Sequence, residues 1–198
     1  MIEIQTFTGS EVAAHLDAVA DLRMEVFRDW PYLYAGDRDY EANYLATYAA
    51  SPESLFVLAT DGGRVIGAST GIPLADEARA FQQPFRERDI PVADVFYFGE
   101  SALLREYRGR GLGHRFFDER ERYARRLGRF GMTAFCSVER SADDPRRPAD
   151  FRTNDAFWSR RGYRRQDDML CELEWQEIDG LAPTTQHLCF WLRSLESR

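Results

Sequence analysis

A dense group of glycine and arginine residues lies where an apolar segment passes into a helical pattern. Gly109, Gly111 and Gly113 follow Arg108, and Arg110 separates the first two of them. Glycine permits a positive φ and a close approach of the backbone to a ligand. The first N–H groups of the following helix lack partners within it, and the helix dipole and the guanidinium groups strengthen their attraction for an anion. The spacing predicts an anion-binding turn, with a purely structural turn as the alternative.

Two common phosphate-binding loops do not fit this turn. A Walker loop requires Gly-Lys-Ser/Thr, whereas all 26 basic residues of this chain are arginine. A dinucleotide fingerprint requires a third glycine where Phe116 stands. The absence of lysine also excludes Schiff-base chemistry on a lysine side chain. His114, directly after the turn, is either a further phosphate contact or a histidine that faces water.

A second group with chemical potential is Glu100, the only carboxylate of the segment "VFYFGESALL". Partial burial between Phe98 and Leu103 would make it a stronger proton acceptor. The alternative is a structural glutamate bonded to backbone or to an arginine. Alternation along a strand puts Glu100 on the face opposite Tyr97, unless a bulge changes the parity.

The elements that must position these residues follow from the hydrophobic patterns. "DGG" between "SLFVLAT" and "RVIGASTGI" predicts a hairpin. "VADVFYFGESALL", the helix after the glycine turn and "MTAFCSV" predict two parallel strands joined by a crossover. The polar segment 73–91 reads as an inserted loop with no obvious core face. The predicted order is β-α-α-β-β-β-α-β-α-β-β.

Composition limits the class of protein. A chain of 198 residues, 44% hydrophobic and 30% charged, is expected to form one domain over 1–198. No apolar run approaches the roughly 18 residues of a membrane span, and the start "MIEIQTF" shows no export signal, so we expect a cytoplasmic protein and no membrane partner. The net charge of −7 argues against nucleic acid as a partner. The three scattered cysteines predict reduced thiols and no metal site.

The pattern Arg-x-x-Gly-x-Gly at 108–113, after a strand and before an amphipathic helix, resembles the acetyl-CoA site of the GNAT superfamily of N-acetyltransferases. The predicted element order covers nearly the whole chain and is also similar to that family. The resemblance implies an α/β (α+β) fold: a mixed, mostly antiparallel sheet of six to seven strands, a central parallel pair, and helices on both faces. It also implies an acceptor side at 1–92, a CoA-binding part at 93–163 and C-terminal strands at 164–198.

The resemblance further implies where acetyl-CoA, as cosubstrate, would bind. The strand end would contact the pantetheine arm, the turn would hold the pyrophosphate, and a later helix would contact pantetheine from the other side. The implied residues are Ala102, Leu103, Leu104, Arg108, Gly109, Arg110, Gly111, Leu112, Gly113, His114, Asn154 and Trp158. The spacing from Asn154 to Gly162 is one residue shorter than in the family pattern.

One departure from the family concerns the general acid. Many members carry a tyrosine that protonates the leaving CoA thiolate, and the nearest residue here is Trp158. An indole N–H is not a usable acid, so another group serves or the thiolate leaves unassisted. Tyr97 and Tyr163 are alternatives for this role, and each is equally a candidate core residue.

The acceptor side of the resemblance falls on the loop "DWPYLYAGDRDYE". Tyr32 and Tyr34, with Asp37 and its acidic neighbours, would suit a cationic amine through charge and cation–π contact. A solvated turn with tyrosines facing the core is the alternative. The segment 73–91 is either a lid over the acceptor or a contact in a homodimer.

These observations favour a cytoplasmic N-acetyltransferase that moves an acetyl group directly from acetyl-CoA to a small-molecule amine. Glu100 is the candidate base and Tyr97 the candidate acid. Because Trp158 replaces the usual tyrosine, the alternative is an acyl-CoA-binding sensor or scaffold without turnover. Nucleic-acid binding through "RERYARRLGR" is disfavoured, since 33 acidic residues outnumber 26 basic ones.

Overall fold

The computed structural model describes residues 1–195. Its strands are β1 (Ile2–Thr8), β2 (Leu55–Asp61), β3 (Arg64–Pro73), β4 (Val95–Tyr97), β5 (Ser101–Leu103), β6 (Met132–Val138), β7 (Arg164–Gln176) and β8 (Pro183–Ser194). Its α-helices are α1 (Leu16–Val26), α2 (Arg38–Ala50), α3 (Arg79–Arg86), α4 (Leu112–Leu127) and α5 (Asp155–Arg160). Residues 196–198 of the predicted C-terminal part lie outside the described residues.

The strands form one mixed sheet in the order β1-β2-β3-β4-β6-β8-β7, and β5 pairs with β3 beside this path. The β4–β6 pair is parallel, and the other pairs are antiparallel. This confirms the predicted mixed sheet with a central parallel pair. Within the described residues the sheet has eight strands because the single strand expected around 95–104 is divided in two.

The division of this strand lies at Phe98, Gly99 and Glu100. Phe98 donates its backbone N–H to the Ala134 carbonyl of β6 at 2.7 Å, and it is the last residue to bridge to that strand. The Glu100 carbonyl instead accepts the Thr70 N–H of β3 at 3.1 Å. The chain beyond Glu100 therefore follows β3 and leaves β6, so that β5 and the second half of β6 face each other across an opening.

Helices cover both faces of the sheet at β4. Neighbouring side chains of a strand point to opposite faces. Phe96 packs against Tyr123 of α4, with 5.7 Å between ring centroids, and Tyr97 packs against Phe81 of α3 at 5.1 Å. The helix after the glycine turn and the helix of the 73–91 segment thus lie on opposite sides.

The segment 73–91 was expected to lack a core face, and that expectation is wrong. Phe81 and Phe85 of α3 are buried, and the Phe85 ring lies 5.1 Å from the Phe190 ring of β8. The two phenylalanines are four residues apart, which is helical spacing. Polar and charged neighbours hide this short apolar stripe in the sequence.

The last two strands, β7 and β8, are longer than the apolar segments of the sequence predict. β7 starts at Arg164, within the polar run "RRQDD", and its register with β8 shifts between Gln166 and Leu170. Residues 167–169 of β7 have no partner in β8 at this bulge, so the alternation of β7 is interrupted there. In the described part of the chain, no helix combines the length and apolar character needed to cross a bilayer.

Candidate active site

The glycine turn has the backbone geometry of a site for an anion. Gly109 and Gly111 adopt φ values of +77° and +78°, and a Cβ at either would meet nothing within 4 Å. Conformation, and not crowding, therefore requires glycine at both positions. α4 begins at Leu112, and among residues 1–195 the backbone N–H groups of 109–113 have no hydrogen-bond acceptor.

Cationic side chains surround these free donors. Arg108 donates through Nε to the Leu103 carbonyl at 3.2 Å. Arg110 donates to the Glu106 carbonyl at 3.0 Å, and its guanidinium lies over the Tyr107 ring at 5.0 Å. Backbone contacts thus hold both arginines at the turn, and both side chains remain exposed. The local charge suits a phosphate group.

His114 and Gly113 contact the neighbouring helix α5. The exposed His114 ring lies edge-on to Phe157, with 4.8 Å between ring centroids, and its Nδ1 is 3.3 Å from Arg161. A Cβ on Gly113 would lie 3.8 Å from the Phe157 ring. The start of α4 therefore packs closely against α5 beside the turn.

Of the predicted strand residues Ala102, Leu103 and Leu104, only Leu103 directs its backbone N–H and carbonyl toward the opening between β5 and β6. The Leu104 N–H donates to the Ile66 carbonyl of β3 at 3.0 Å, and the Glu100 carbonyl also faces β3. Ala102 is paired with Ala68 of β3 and is buried. Since backbone groups alternate sides along a strand, Leu103 directs its N–H and carbonyl away from β3.

Helix α5 places Asn154 and Trp158 near the same region of the fold. Asn154 is exposed at the helix start and makes no side-chain capping bond. The Trp158 ring packs against Phe135 and Trp191, with centroid distances of 5.0 and 5.1 Å. Trp158 is therefore a half-buried packing residue.

The Tyr163 side chain is buried in the core. Its hydroxyl lies 2.9 Å from Thr133 Oγ1 and donates to Glu121 Oε1 at 3.3 Å. Burial raises the pKa of Tyr163 well above its usual value. The Tyr97 hydroxyl instead lies 3.0 Å from the sulfur of Cys136, and burial raises the pKa of Tyr97 as well. Of these two tyrosines, Tyr97 is the one that lines the aromatic cavity described below.

Glu100 is buried, with 5% of its surface exposed. Its Oε2 accepts from Arg23 Nη1 at 2.6 Å and from the Tyr44 hydroxyl at 3.1 Å. Its Oε1 has no hydrogen-bond partner within residues 1–195. The residue thus combines an ion pair on one oxygen with a second oxygen that is free to accept a proton.

The face of Glu100, which the sequence left open, follows from the divided strand. Tyr97 and Glu100 line one cavity, although uninterrupted alternation would put them on opposite faces. The break at Phe98 and Gly99 changes the parity of the side chains.

Arg23 of α1 is the main residue of this site that the sequence analysis missed. It is buried, and its Nε donates to Glu41 Oε2 of α2 at 2.5 Å while Nη1 binds Glu100. Its guanidinium lies over the rings of Tyr44 and Phe27, at 4.4 and 5.0 Å. Burial lowers the pKa of Arg23, but Glu100, Tyr44 and Glu41 outweigh it and raise the pKa overall. Two carboxylates thus share one guanidinium, and burial raises the pKa of Glu41.

Aromatic side chains surround the cavity next to this cluster. The cavity has a volume of about 60 Å³. Among the residues that line it are Phe27, Tyr32, Tyr34, Tyr40, Tyr44, Phe81 and Trp175. Such a volume accommodates a few water molecules or one small polar group.

Two of the three predicted acceptor residues, Tyr32 and Tyr34, line this cavity, and Asp37 does not. The Asp37 carboxylate accepts the Tyr40 N–H at 2.9 Å as the N-cap of α2. Its backbone N–H donates to the Tyr34 hydroxyl at 2.9 Å. Asp37 therefore fixes the loop that carries the tyrosines, while the buried carboxylate of this segment is Glu41.

A second missed arginine, Arg120 of α4, supports the division of the strand. It is 1% exposed, and its Nη1 donates to the carbonyls of Glu100 and Thr70 at 3.1 and 3.4 Å. Its Nη2 donates to Ser101 Oγ at 2.8 Å. Burial lowers the pKa of Arg120 to about 10. The guanidinium thus adds a second donor to carbonyls that are already paired, since the Thr70 N–H binds the Glu100 carbonyl and the Gly99 N–H binds the Thr70 carbonyl at 3.2 Å.

Helical spacing could have identified both arginines. Arg23 lies four residues after Val19, and Arg120 lies four after Phe116, so each falls on the apolar face of its helix. A charged residue on such a face requires a buried partner. In the described part of the chain, no group of three or more His, Cys, Asp or Glu residues could hold a metal ion.

The fold and the site define a class: a mixed α/β sheet with an open central strand pair and a glycine turn with free N–H groups at the start of a helix. A model of the acetyltransferase (GNAT) family matches residues 16–148, more than half of the sequence. The chain belongs to this family. None of the curated proteins matches the sequence.

Solved structures with the same fold are distant in sequence. A GNAT-family acetyltransferase from Staphylococcus aureus Mu50 has 13% identity and a TM-score of 0.59, over 99% of this chain and 100% of that one. The ribosomal-protein-S18-alanine N-acetyltransferase from Escherichia coli has 11% identity and a TM-score of 0.60, over 100% and 96%. The Salmonella typhimurium protein yncA, solved with acetyl-CoA as its cofactor, has 11% identity and a TM-score of 0.55, over 99% and 96%.

Proposed function

We propose that this protein transfers an acetyl group from acetyl-CoA to the amine of a small, cationic molecule. The observation that carries the proposal is the position of Glu100. Its carboxylate lies in a small aromatic cavity, one residue before the strand β5 that leads to the glycine turn. Family membership supports the acetyl donor, and the cavity supports the acceptor.

The residues of the turn fit acetyl-CoA. The free N–H groups of 109–113, with Arg108 and Arg110, would hold the pyrophosphate. The outward N–H of Leu103 would bind a pantetheine amide along the open edge of β5, where the Leu103 carbonyl already accepts from Arg108, and Asn154 would contact the arm from α5. When bound, acetyl-CoA supplies the acetyl group as an activated thioester.

The acceptor cavity favours a cation. The cluster sets two carboxylates, Glu41 and Glu100, against the one guanidinium of Arg23, and the tyrosine rings offer cation–π contacts. Glu100 Oε1 would accept a proton from the ammonium group, which generates the free amine that can attack a thioester. The Tyr97 hydroxyl, which lies on the same cavity wall, is the candidate proton donor.

Two measurements test this proposal. We expect acetyl-CoA and CoA, but not AMP, to raise the melting temperature. We also expect thiol release from acetyl-CoA that depends on a cationic amine in a panel of primary amines, carboxylates and alcohols. No stabilisation by either CoA species would contradict the cosubstrate site, and thiol release only with neutral or anionic acceptors would contradict the acceptor class.

A second function is favoured by the packing of Trp158. Position 158 is a tryptophan whose ring packs against Phe135 and Trp191, so α5 offers no tyrosine hydroxyl there. An acyl-CoA-binding protein without turnover would show stabilisation by CoA species and no thiol release with any amine.

A further inference from the structure

Arg140, two residues beyond the end of β6, is a cationic residue that the proposed function does not use. The Glu139 N–H donates to the His187 carbonyl of β8 at 2.9 Å, so the chain stays on the sheet up to the residue before Arg140. The Arg140 side chain then reaches the loop between α1 and α2, and only 11% of it is exposed. A guanidinium with so little contact with water requires partners in the protein.

Two of these partners are backbone carbonyls of the loop that carries the cavity tyrosines. Arg140 Nε donates to the Pro31 carbonyl at 2.7 Å, and Nη2 donates to the Tyr32 carbonyl at 3.0 Å. Hydrogen bonds from a charged donor are stronger than those between neutral groups, and the planar guanidinium presents its donors in a fixed fork. Arg140 therefore fixes two consecutive carbonyls in the middle of the α1–α2 loop.

The third partner of Arg140 is Glu177, directly after β7. Arg140 Nη1 lies 2.5 Å from Glu177 Oε1. This contact is an ion pair and not an aligned hydrogen bond, since Glu177 Oε1 has no hydrogen-bond partner within residues 1–195. The other oxygen, Oε2, accepts from Arg146 Nη1 at 2.6 Å. Glu177 thus contacts two arginines, and of these Arg140 is the one that donates to the α1–α2 loop.

Tyr32 is the cavity residue that these contacts hold in place. Its carbonyl accepts from Trp175 Nε1 at 3.0 Å in addition to Arg140. Its ring stacks on Phe27 with 4.2 Å between centroids and lies 5.9 Å from the Trp175 ring. All three aromatic rings belong to residues that line the cavity. The position of this part of the cavity wall therefore depends on the peptide group that Arg140 binds.

The next part of the loop is attached in a different way. The Ile178 N–H donates to the Leu33 carbonyl at 2.7 Å, and a backbone bond of this kind does not depend on a side chain. The donors to the Tyr32 carbonyl, by contrast, are the side chains of Arg140 and Trp175. A substitution of Arg140 thus loosens Tyr32 while the backbone attachment of Leu33 remains.

We propose that Arg140 is a positioning residue of the acceptor cavity, which holds the Tyr32 ring where it contacts the bound amine. The inference rests on the proposed function. With Arg140 in place the loop is ordered before the amine binds, so binding does not have to order it. Without Arg140 the competent arrangement is populated only in part, and the apparent affinity for the amine falls by that fraction. Transfer itself keeps its rate, because Arg140 contacts neither Glu100 nor Tyr97.

The test compares the wild type with Arg140→Met and Arg140→Lys. Methionine keeps most of the side-chain volume and removes all three polar contacts, whereas lysine keeps the charge and lacks the fork. Arg146→Gln is the matched control, because it removes the other cation on Glu177 and leaves the loop carbonyls bonded. The measured quantities are KM and kcat for the amine that the wild type acetylates best, and the dissociation constant of acetyl-CoA by calorimetry.

We expect Arg140→Met to raise KM for the amine about tenfold, which corresponds to the loss of one hydrogen bond from a charged donor. The kcat and the dissociation constant of acetyl-CoA should stay within about twofold, since the reacting groups and the glycine turn are untouched. Arg140→Lys should give a smaller rise in KM, because an ammonium keeps the ion pair with Glu177 but cannot match the fork. Arg146→Gln should behave as the wild type.

A double-mutant cycle tests whether Arg140 acts through Tyr32. Tyr32→Leu removes the ring that Arg140 positions, and it should itself raise KM for the amine. In the Tyr32→Leu background, Arg140→Met should raise KM by less than about twofold, since coupled residues are not additive. Equal effects of Arg140→Met in the two backgrounds would show that Arg140 does not act through Tyr32, and the inference would be wrong.

The inference is also wrong if Arg140→Met lowers kcat or weakens acetyl-CoA binding by as much as it raises KM, since a general loss of structure has that effect. A rise in KM of the same size in Arg146→Gln would likewise contradict it. Should Arg140→Met fail to fold, the KM and kcat of Arg140→Lys decide. A wild type that releases no thiol with any amine would overturn the proposed function and this inference together, whereas wild-type turnover without the selective rise in KM would overturn this inference only.

Discussion

Glu100 and Arg23 show how one contact serves both structure and the proposed chemistry. The guanidinium lies between Glu41 and Glu100 and against the Tyr44 ring, so that it has two carboxylate partners away from water. Removing one member of a buried ion pair leaves an uncompensated charge, which is strongly destabilising. A substitution that tests Glu100 must therefore keep the shape of its side chain and its hydrogen bond to Arg23.

Replacing Glu100 with glutamine tests the base. Gln keeps the volume and can still accept a hydrogen bond from Arg23, but it cannot take a proton from the ammonium group. We expect kcat/KM to fall by about 10²-fold or more, with an unchanged dissociation constant for CoA. Steady-state thiol release and calorimetric titration measure the two quantities.

Glu106→Gln is the control for this substitution, because Glu106 is an exposed acid near the same turn. Equal losses in both variants would point to a general charge effect and contradict the assignment of Glu100. Unfolding by urea shows whether Glu100→Gln remains folded.

At the residue scale, the glycine turn and the burial of Glu100 could be predicted from the sequence. The residues that contact Glu100 could not. Arg23 and Glu100 are 77 positions apart, and the packing of α1 against the divided strand brings them together. Local periodicity shows that Arg23 faces the core, yet it contains no information on which carboxylate meets it.

At the scale of elements, the main feature is the break between β4 and β5, which Arg120 stabilises. Its planar guanidinium reaches Glu100, Thr70 and Ser101 at once and lies between the Phe98 and Phe117 rings. A lysine ammonium cannot match this fork. The break thus depends on one side chain of the neighbouring helix.

We expect Arg120→Lys to lower the free energy of unfolding by about 3 kcal/mol, since a buried ammonium cannot make all the hydrogen bonds of the guanidinium and would lack partners for its charge. Arg122→Lys, on the exposed face of the same helix and paired with Glu119, should cost less than about 1 kcal/mol. Urea denaturation measures both. A similar small change in the two variants would show that Arg120 does not hold the strand ends.

The role of the glycine turn can be tested with two alanine substitutions that introduce the same backbone strain, one inside the turn and one outside it. Gly111→Ala and Gly128→Ala both place a Cβ at positive φ, +78° and +71°, with nothing within 4 Å. Each should cost about 1 kcal/mol of stability. Only Gly111→Ala should weaken binding of acetyl-CoA, because Gly128 lies at the other end of α4. Equal dissociation constants for the two variants would contradict the assignment of the turn.

The order of the elements could be predicted because hairpin and helix patterns are local. The break at Phe98–Glu100 could not be located, because apolar residues stand on both sides of Gly99 and Glu100 in "VFYFGESALL", as they would in one strand. The core role of α3 was missed because two phenylalanines among polar residues give a weak periodic pattern. Tertiary packing decides both features.

At the scale of the whole molecule, Glu77, a buried acid between β3 and α3, makes stability depend on pH. Burial raises its pKa in the folded protein from 4.5 to about 7, so the folded state binds more protons than the unfolded state between these values. Its contribution to stability is complete below the lower value and is lost as the pH rises through about 7. Ionising the buried group costs about 3 kcal/mol.

We therefore expect Glu77→Gln to be more stable relative to the wild type at pH 8 than at pH 5, by up to about 3 kcal/mol. The difference between the two proteins isolates this group from other titrations. Urea unfolding at both pH values measures it, with Glu87→Gln, at an exposed acid of the same segment, as control. A difference independent of pH would show that Glu77 is already ionised in the folded protein at pH 5.

The divided strand has a consequence for how the sheet opens. The halves on either side of β4 are joined by a short seam, in which Ile72 and Pro73 pair with Tyr97 and Phe96, and by three parallel pairs to β6. A ligand that bridges Leu103 and the edge of β6 would close the gap beyond this seam. In hydrogen exchange we expect amides of the two halves to open independently in the free protein and as one unit with acetyl-CoA.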